Sequence, residues 1–328
     1  MLLMVSVQNL EEAKQAIRGA ADIVDVKNLQ EALVGSAHPS LVKEVRELVP
    51  LEQHASVTLG VVPKQVGTVA MAVYTAGILN ATSVKVGFMD TEYSLAKEIL
   101  LAAKESLNGF ETKLIGSVFA DSDISKGIDP GLMQDLAVDG KCDGWLIDTI
   151  TKDGRNLLDF MEESQLRDLV FSGKKMGIST ALSGHLKLQN LDEIARINPD
   201  IVGVRGAVCA KQDRSNGVYW ESVKEFKRQL NLRQTGEINV LGDKHENVVS
   251  DLNFENWVVV DGTGKNCASI LSELDQIILE NGVNLIEAII PNILNTYDVV
   301  IWAEQRGHSI VSKRKDDSTD SIRVLIKP

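Results

Sequence analysis

The sequence predicts a (β/α)8 barrel, the TIM-barrel fold, followed by a small α+β domain. Strand-like and helical stretches alternate strictly along the first two thirds of the 328-residue chain, and they form eight strand–helix units. Such alternation is typical of a parallel sheet, and eight units are the number that closes a barrel. A doubly wound open sheet is the alternative, but no Gly-x-Gly-x-x-Gly follows the first predicted strand.

Each predicted strand is a short run rich in apolar and β-branched residues. In the second strand, period-two alternation places Ile23, Asp25 and Lys27 on one face. A carboxylate and an amine at the end of a buried strand must be paired, solvated or functional. The eight strands are predicted at 2–7, 21–28, 54–60, 83–88, 113–120, 144–149, 176–182 and 200–206.

Helices are predicted between the strands, where apolar residues recur with the helical period. Gly19 ends the first helix. Pro39 begins the second, at a position where a backbone N–H would have no hydrogen-bond partner within the helix, so its absence costs nothing. The eight helices are predicted at 11–17, 39–48, 67–79, 93–106, 130–138, 162–175, 191–197 and 220–230.

The chain changes character after the last of these helices. A polar stretch without a sustained period predicts a linker, and a second run of strands and helices follows it. Its order is βαβαββ, typical of a small α+β domain. We predict domains at 1–232 and 255–328 joined by a linker at 233–254, with strands at 257–261, 285–290, 308–315 and 321–327 and helices at 268–280 and 293–306.

The composition of the chain argues against several functional classes and cellular settings. The net charge of −12 and the absence of a basic stripe argue against nucleic-acid binding. No apolar run reaches membrane-spanning length, and the N-terminus lacks the basic start of a signal peptide. The three scattered cysteines favour a reducing, cytoplasmic setting and argue against a disulfide framework or a metal site. We also expect a homo-oligomer.

Polar residues cluster at the carboxyl ends of the predicted strands, where barrels place their chemistry. Crowded lysines at such a mouth have lowered pKa values, and one of them could form a Schiff base with a carbonyl substrate while its neighbours move protons. A ring of ion pairs that only closes the barrel is the alternative. The candidate catalytic residues are Asp25, Lys27, Lys85, Asp148 and Lys152.

The last two strand ends are rich in glycine. In barrels the loops after strands seven and eight commonly bind phosphate through backbone N–H groups, and glycine lets the backbone approach an anion closely. We therefore expect a phosphorylated substrate. The candidate phosphate-binding residues are Ser183, Gly184, His185, Gly206 and Ala207.

Five motifs together resemble the (5-formylfuran-3-yl)methyl phosphate synthase family over residues 1–230. They are Ala-Asp-Ile-Val-Asp-Val-Lys-Asn at 21–28, Val-Lys-Val-Gly at 84–87, Leu-Ile-Asp-Thr at 146–149 with Lys-Asp-Gly at 152–154, Ala-Leu-Ser-Gly at 181–184, and Val-Gly-Val-Arg-Gly-Ala-Val-Cys at 202–209 with Asp-Arg at 213–214. The resemblance implies a TIM-barrel lyase that needs no cofactor. Its members condense two glyceraldehyde 3-phosphate molecules into a furan aldehyde phosphate, with release of phosphate and water, in methanofuran biosynthesis.

The resemblance also implies roles for individual residues. Lys27 would form the Schiff base, and Lys85 would transfer protons. Asp25, Asp148 and Lys152 would orient the substrate and exchange protons. Two alternatives remain open: a Schiff-base aldolase that acts on another phosphorylated sugar, and a non-catalytic binding or scaffold protein.

The C-terminal domain resembles the TusA/SirA-like sulfur-carrier fold. Asp261, Gly264 and Cys267 match that family's motif, although Ala268 stands where the family has proline. A cysteine at a helix N-terminus has a stabilised thiolate. The resemblance implies that Cys267 carries a persulfide, or that the domain has kept the fold and binds a protein partner.

Overall fold

The protein is described here by a computed structural model. The residues that it describes are 1–28, 35–51, 53–122, 126–151, 153–241, 257–279, 282–316, 319 and 321–328. Most of the predicted linker and the candidate residue Lys152 lie outside the described residues.

Eight parallel strands close into a barrel, in which each strand pairs with the next and β1 pairs with β8. This closure confirms the predicted TIM barrel and excludes the open sheet, whose edge strands would stay unpaired. The strands are β1 (Leu2–Val7), β2 (Ile23–Val26), β3 (His54–Val61), β4 (Ser83–Gly87), β5 (Lys113–Phe119), β6 (Gly144–Asp148), β7 (Ser179–Leu182) and β8 (Ile201–Val204).

One helix of at least seven residues follows each strand, as predicted. The N-cap of the first is Asn9, whose side chain accepts a hydrogen bond from the Glu12 N–H, and the second begins at Pro39. The helices are α1 (Leu10–Arg18), α2 (Pro39–Leu48), α3 (Val66–Ile78), α4 (Tyr93–Ser106), α5 (Met133–Asp139), α6 (Glu163–Lys175), α7 (Leu191–Ile197) and α8 (Trp220–Gln234).

The strand register places polar residues side by side inside the barrel. Ser6 in β1 pairs with Asp25 in β2, and Asp25 pairs with Ser56 in β3. One step further along, Thr58 pairs with Lys85 in β4. Because paired residues of neighbouring strands lie about 5 Å apart, this register alone brings an acid, an amine and three hydroxyl groups within reach of one another.

The chain divides into two compact units. The first comprises Met1–Gln165, Ile178–Asn190 and Pro199–Arg228, and the second comprises Leu166–Gly177, Leu191–Asn198 and Gln229–Pro328. The second unit thus groups most of α6 and all of α7 with the C-terminal segment. The domain boundaries predicted from the sequence, at 232 and 255, stay a prediction.

The C-terminal segment has the predicted βαβαββ order. The elements are β9 (Trp257–Asp261), α9 (Cys267–Leu279), β10 (Leu285–Ile290), α10 (Asn295–Arg306), β11 (Ser309–Asp316) and β12 (Ser321–Lys327). The four strands form a mixed sheet in the order β11-β12-β10-β9, in which β9 and β10 are parallel and the other two pairs are antiparallel.

Alternate residues of this sheet supply the core of the second unit. Ile286, Ala288 and Ile290 of β10 are fully buried on one face and pack with apolar residues of α9 and α10, among them Leu274 and Trp302. Apolar residues that recur with a period of two in the strands and with the helical period in α9 and α10 therefore pack together in one core. None of the helices described is long and apolar enough to cross a membrane.

Candidate active site

A cavity at the carboxyl ends of the barrel strands collects most of the predicted catalytic residues. Asp25, Lys27, Lys85, Asp148 and Ser183 all line it. They come from β2, β4 and β6, and from the positions directly after β2 and β7. Residues far apart in the chain meet here because parallel strands in a barrel present all their carboxyl ends at one face.

Asp25 lies at the centre of this group and is only 1% exposed. Its Oδ1 accepts hydrogen bonds from Lys85 Nζ at 2.5 Å and from Ser56 Oγ at 2.7 Å. Thr58 Oγ1 donates to the same carboxylate at 3.0 Å, and Ser6 Oγ lies 3.3 Å from Oδ2. Burial alone would raise the pKa of Asp25, but the charges of Lys85 and Lys27 and the donated hydrogen bonds outweigh it, so the pKa is lowered. The surroundings of Asp25 therefore favour its ionised form.

Lys85 is 4% exposed, and its amine is held by fixed partners. Besides Asp25, Nζ donates to Ser56 Oγ at 3.0 Å and contacts Met4 Sδ at 3.2 Å. Burial lowers the pKa of Lys85, and the attraction of Asp25 only partly offsets this; Lys27 lowers the pKa further. The protonated amine can thus lose its proton more easily than a solvated lysine does, which is the direction that a proton-accepting role needs.

Lys27 is 8% exposed and is held more loosely than Lys85. Its backbone N–H donates to the Val7 carbonyl at 3.0 Å, which fixes the start of the loop, whereas its Nζ lies 3.9 Å from Asp25 Oδ2. This distance is at the limit of an ion pair, and Lys27 is one of the residues that line the cavity. Asp148 also lines the cavity, and its Oδ1 accepts a hydrogen bond from the Thr149 N–H at 2.7 Å.

The end of β7 has a conformation that requires glycine, whereas Gly206 after β8 has no positive φ and would leave ordinary contact distances for a Cβ. Gly184 has φ of +112°, and a Cβ there would lie 2.8 Å from Thr149 Cγ2, so only glycine fits. His185 follows with φ of +51°. Gly206 opens a short 3-10 helix, Gly206–Val208. Of the five predicted phosphate-binding residues, Ser183 alone is among the residues described as lining the cavity, and phosphate binding stays a prediction for the group.

Asp121 is a positioning residue for the loop after β6. Its carboxylate accepts hydrogen bonds from the N–H groups of Ile150 and Thr151, at 2.9 and 2.7 Å, and from the Thr151 hydroxyl. Burial would raise its pKa, but these donors together lower it. Asp121 thus engages the backbone immediately before position 152.

An arginine–glutamate pair that the sequence interpretation did not identify joins the end of β8 to α1. Arg205 and Glu12 are both buried, and Nη1 and Nη2 of Arg205 contact the two carboxylate oxygens of Glu12 at 2.6 and 2.9 Å. Nη1 also donates to the Ser6 carbonyl at 3.0 Å. This bidentate pair orients the strand end that carries Gly206.

Arg214, in the loop after β8, is another residue to which the sequence interpretation gave no role. Its side chain is half-buried and runs past Gly206, with Cγ 3.7 Å from where a Cβ on that glycine would lie. Burial lowers the pKa of Arg214 and the nearby charge of Arg205 lowers it further, while Asp148 raises it. Among the described residues, no carboxylate forms an ion pair with it. The motif Asp213-Arg214 contained this residue, but only the fold shows it beside the strand ends.

The electrostatic link between Asp25 and Lys85 predicts a direction of pKa change. In Asp25→Asn the pKa of Lys85 should fall further, because burial and the charge of Lys27 remain while the carboxylate that raises it is gone. A pH titration of the isotope-labelled lysine side chain by NMR, assigned with Lys85→Arg, measures this. Asp90→Asn, which removes an exposed carboxylate paired with Lys64, should leave the Lys85 titration unchanged. A rise in the Lys85 pKa would contradict the arrangement.

Comparison with known proteins identifies the family to which this chain belongs. The family model described as 4-HFC-P synthase matches residues 3–227, which is more than half of the chain and spans all eight barrel strands.

Relatives named (5-formylfuran-3-yl)methyl phosphate synthase align over nearly their whole length. The protein of Methanococcus maripaludis is 38% identical over 232 residues, 69% of this chain and 98% of the relative. That of Methanocaldococcus jannaschii is 36% identical over 231 residues, with the same coverage of 69% and 98%. That of Methanopyrus kandleri is 35% identical over 218 residues, 66% of this chain and 92% of the relative. The chain therefore belongs to the 4-HFC-P synthase family of enzymes.

Proposed function

We propose that this protein is a (5-formylfuran-3-yl)methyl phosphate synthase. It condenses two molecules of glyceraldehyde 3-phosphate, with release of phosphate and water, as a step of methanofuran biosynthesis. The observation that carries the proposal is the meeting of Lys27, Lys85 and Asp25 in one barrel-mouth cavity of a chain that belongs to this family. Two amines and a carboxylate in a buried site are the groups that imine chemistry on an aldehyde needs.

The first step is imine formation at Lys27. Its Nζ, in the neutral form, attacks the aldehyde carbon of one substrate molecule, a carbon–nitrogen bond forms, and the carbonyl oxygen leaves as water. Lys27 suits this role better than Lys85 because its amine is less tightly hydrogen-bonded. Asp25, at 3.9 Å from Nζ, stabilises the positive charge of the iminium ion.

The second step is proton removal next to the iminium carbon. Lys85 in its neutral form takes this proton, which converts the iminium ion into an enamine, and its lowered pKa fits the task. The enamine carbon then bonds to the aldehyde carbon of the second substrate molecule. Asp148 and Lys152 exchange protons as phosphate is eliminated. The furan ring then closes with loss of water. Hydrolysis of the carbon–nitrogen bond finally frees Lys27.

We assign the substrate phosphate to the ends of β7 and β8. Ser183, Gly184, His185, Gly206 and Ala207 surround these ends, and Arg214 supplies a cation there that lacks a carboxylate partner among the described residues. A guanidinium group binds a phosphate through two parallel hydrogen bonds. The nearby Arg205 adds positive charge, although its own hydrogen bonds go to Glu12 and Ser6.

Borohydride trapping tests the Schiff base. With glyceraldehyde 3-phosphate present, reduction should leave a stable adduct on Lys27, which peptide mass spectrometry locates. Lys27→Arg should form no adduct, and Lys64→Arg, an exposed lysine, should behave as the unaltered protein. If Lys27 stayed unmodified, both the synthase hypothesis and the Schiff-base aldolase hypothesis would be excluded. Product analysis separates these two, because the synthase releases phosphate and forms a furan chromophore, whereas an aldolase yields a simple aldol.

The role of Arg214 predicts a loss that depends on the substrate phosphate. Arg214→Met should lower kcat/KM for glyceraldehyde 3-phosphate by about 10- to 100-fold, the size of one or two lost charge-assisted hydrogen bonds. Imine formation with unphosphorylated glyceraldehyde, measured by the trapping assay, should change little. Lys211→Met removes an exposed cation of the same loop and is the control. An equal loss with both aldehydes would show that Arg214 acts only through the fold.

The sulfur-carrier role of Cys267 stays a prediction. The thiol is buried at the start of α9, and Sγ lies 3.1 Å from Asp298 Oδ2 within the second unit. A carrier thiol has to meet the sulfur of a partner, so persulfide loading would require this end of α9 to open. If the domain is a carrier, incubation with a cysteine desulfurase and cysteine should add one sulfur atom to Cys267. Mass spectrometry that finds only the free thiol would leave partner binding as the remaining expectation for the domain.

A further inference from the structure

The third barrel helix carries apolar side chains on two opposite faces. Toward the barrel, α3 buries Val69 and Val73, as a barrel helix must. On the opposite face, Met71, Tyr74 and Ile78 are 74%, 49% and 55% exposed. A helix on the surface of a globular protein typically has charged and polar side chains on its outer face. The outer face of α3 therefore needs an explanation that the barrel does not supply.

Four exposed residues form a stripe along this face. Gly67, Met71, Tyr74 and Ile78 follow one another at intervals of four, three and four residues, which is the spacing of a seam between two packed helices. We call these four residues the outer stripe. The Tyr74 ring stands edge-to-face on Phe110, with ring centres 5.3 Å apart, so the centre of the stripe is already held in one position.

The outer stripe lies in an uncharged segment of an acidic chain. No residue from 65 to 84 is Asp, Glu, Lys or Arg, although these four types make up 24% of the chain. Two copies of a chain with a net charge of −12 repel each other, and they approach most easily where neither copy carries charge. A basic partner, in contrast, would be attracted to an acidic surface. The charge pattern therefore favours a second copy of this chain as the partner of α3.

Gly67 is the member of the outer stripe that the described contacts of the chain do not explain. It lies in the first turn of α3, its φ is not positive, and nothing lies within 4 Å of where a Cβ on it would be. Glycine weakens a helix relative to alanine, so a glycine without a local requirement suggests a requirement from outside. A glycine on the surface of a helix leaves room for a large side chain of a neighbouring helix.

The sizes of the four residues are complementary when two copies of α3 pack in opposite directions. Across a two-fold axis at the middle of the outer stripe, Gly67 faces the partner's Ile78, and Met71 faces the partner's Tyr74. The smallest residue then meets a large aliphatic one, and a thioether meets an aromatic ring, which is a favourable contact. Because each contact occurs twice, the arrangement closes on itself and forms a dimer. A parallel pairing would instead place each residue against its own copy.

We propose that two copies of this chain form a two-fold dimer through the antiparallel packing of their α3 helices. This proposal assigns a surface to the homo-oligomer that the sequence leads us to expect, and it is independent of the activity proposed for the barrel. One pair of helices buries less area than the roughly 1,600 Å² of a typical stable interface, so the dimer should dissociate with a Kd of about 1 to 100 μM.

Analytical ultracentrifugation of the full-length protein tests the dimer. The average mass should rise from that of one copy toward that of two as the concentration passes through the expected Kd, and added salt should lower the Kd because it screens the repulsion between the acidic copies. Met71→Glu should raise the Kd at least about tenfold, because it places a carboxylate in an apolar contact. Met71→Leu, which keeps that contact, should still dimerise. Val138→Glu alters an exposed aliphatic residue of α5 and should leave the Kd unchanged.

Mixed variants test the antiparallel register. Met71→Lys and Tyr74→Glu should each be mainly monomeric alone, whereas an equal mixture of the two should dimerise, because the lysine of one copy faces the glutamate of the other. The control is a mixture of Met71→Lys with Ile78→Glu, whose substituted positions do not face each other, and it should stay monomeric. The substituted side chains are exposed, so the circular dichroism spectrum of each variant should match that of the unaltered protein.

Three results would overturn the proposal. The first is a protein that stays monomeric at concentrations up to about 1 mM, which would leave this face of α3 to a different partner. The second is an association that Met71→Glu does not weaken. The third is a mixture of Met71→Lys with Ile78→Glu that dimerises as well as the mixture of Met71→Lys with Tyr74→Glu. None of these measurements depends on turnover, so the dimer can fail while the synthase activity stands, and the reverse also holds.

Discussion

The buried carboxylate of Asp25 is the interaction on which the candidate site depends. An ionised group removed from water is costly unless it is paired and hydrogen-bonded, and Asp25 meets both conditions through Lys85, Ser56, Thr58 and Ser6. These partners come from three neighbouring strands, so the carboxylate also ties the barrel register together at this level. The same contacts hold Lys85 in position, whereas the Nζ of Lys27 lies 3.9 Å from Asp25 Oδ2.

A second set of buried charges positions the loops rather than the substrate. Asp121 accepts hydrogen bonds from the backbone just before position 152, and Arg205 with Glu12 connects the end of β8 to α1. In both cases a charged side chain forms hydrogen bonds with several polar groups at once, which favours one conformation of the loop over others. The mouth of the barrel thus contains charged groups that line the cavity and other charged groups that orient the strand ends and loops around it.

The second unit uses the same principle around Asp298. This fully buried carboxylate accepts a hydrogen bond from Lys174 Nζ at 2.9 Å and another from the Asn198 amide at 3.0 Å, and its Oδ2 lies 3.1 Å from Cys267 Sγ. Lys174 and Asn198 belong to segments far from Asp298 in the sequence, so the unit is assembled across the chain. These contacts are one physical reason why α6 and α7 group with the C-terminal sheet.

The sequence by itself determined the barrel and the βαβαββ order of the C-terminal segment, because strand and helix periods are local properties. It also predicted the candidate site residues, from their positions at strand ends. It did not reveal the contacts of Asp121 and Arg214 or the network around Asp25. Asp25 meets Ser56 and Lys85 across 31 and 60 positions of the chain. Such partners are chosen by strand register and barrel closure, so only the tertiary structure decided them.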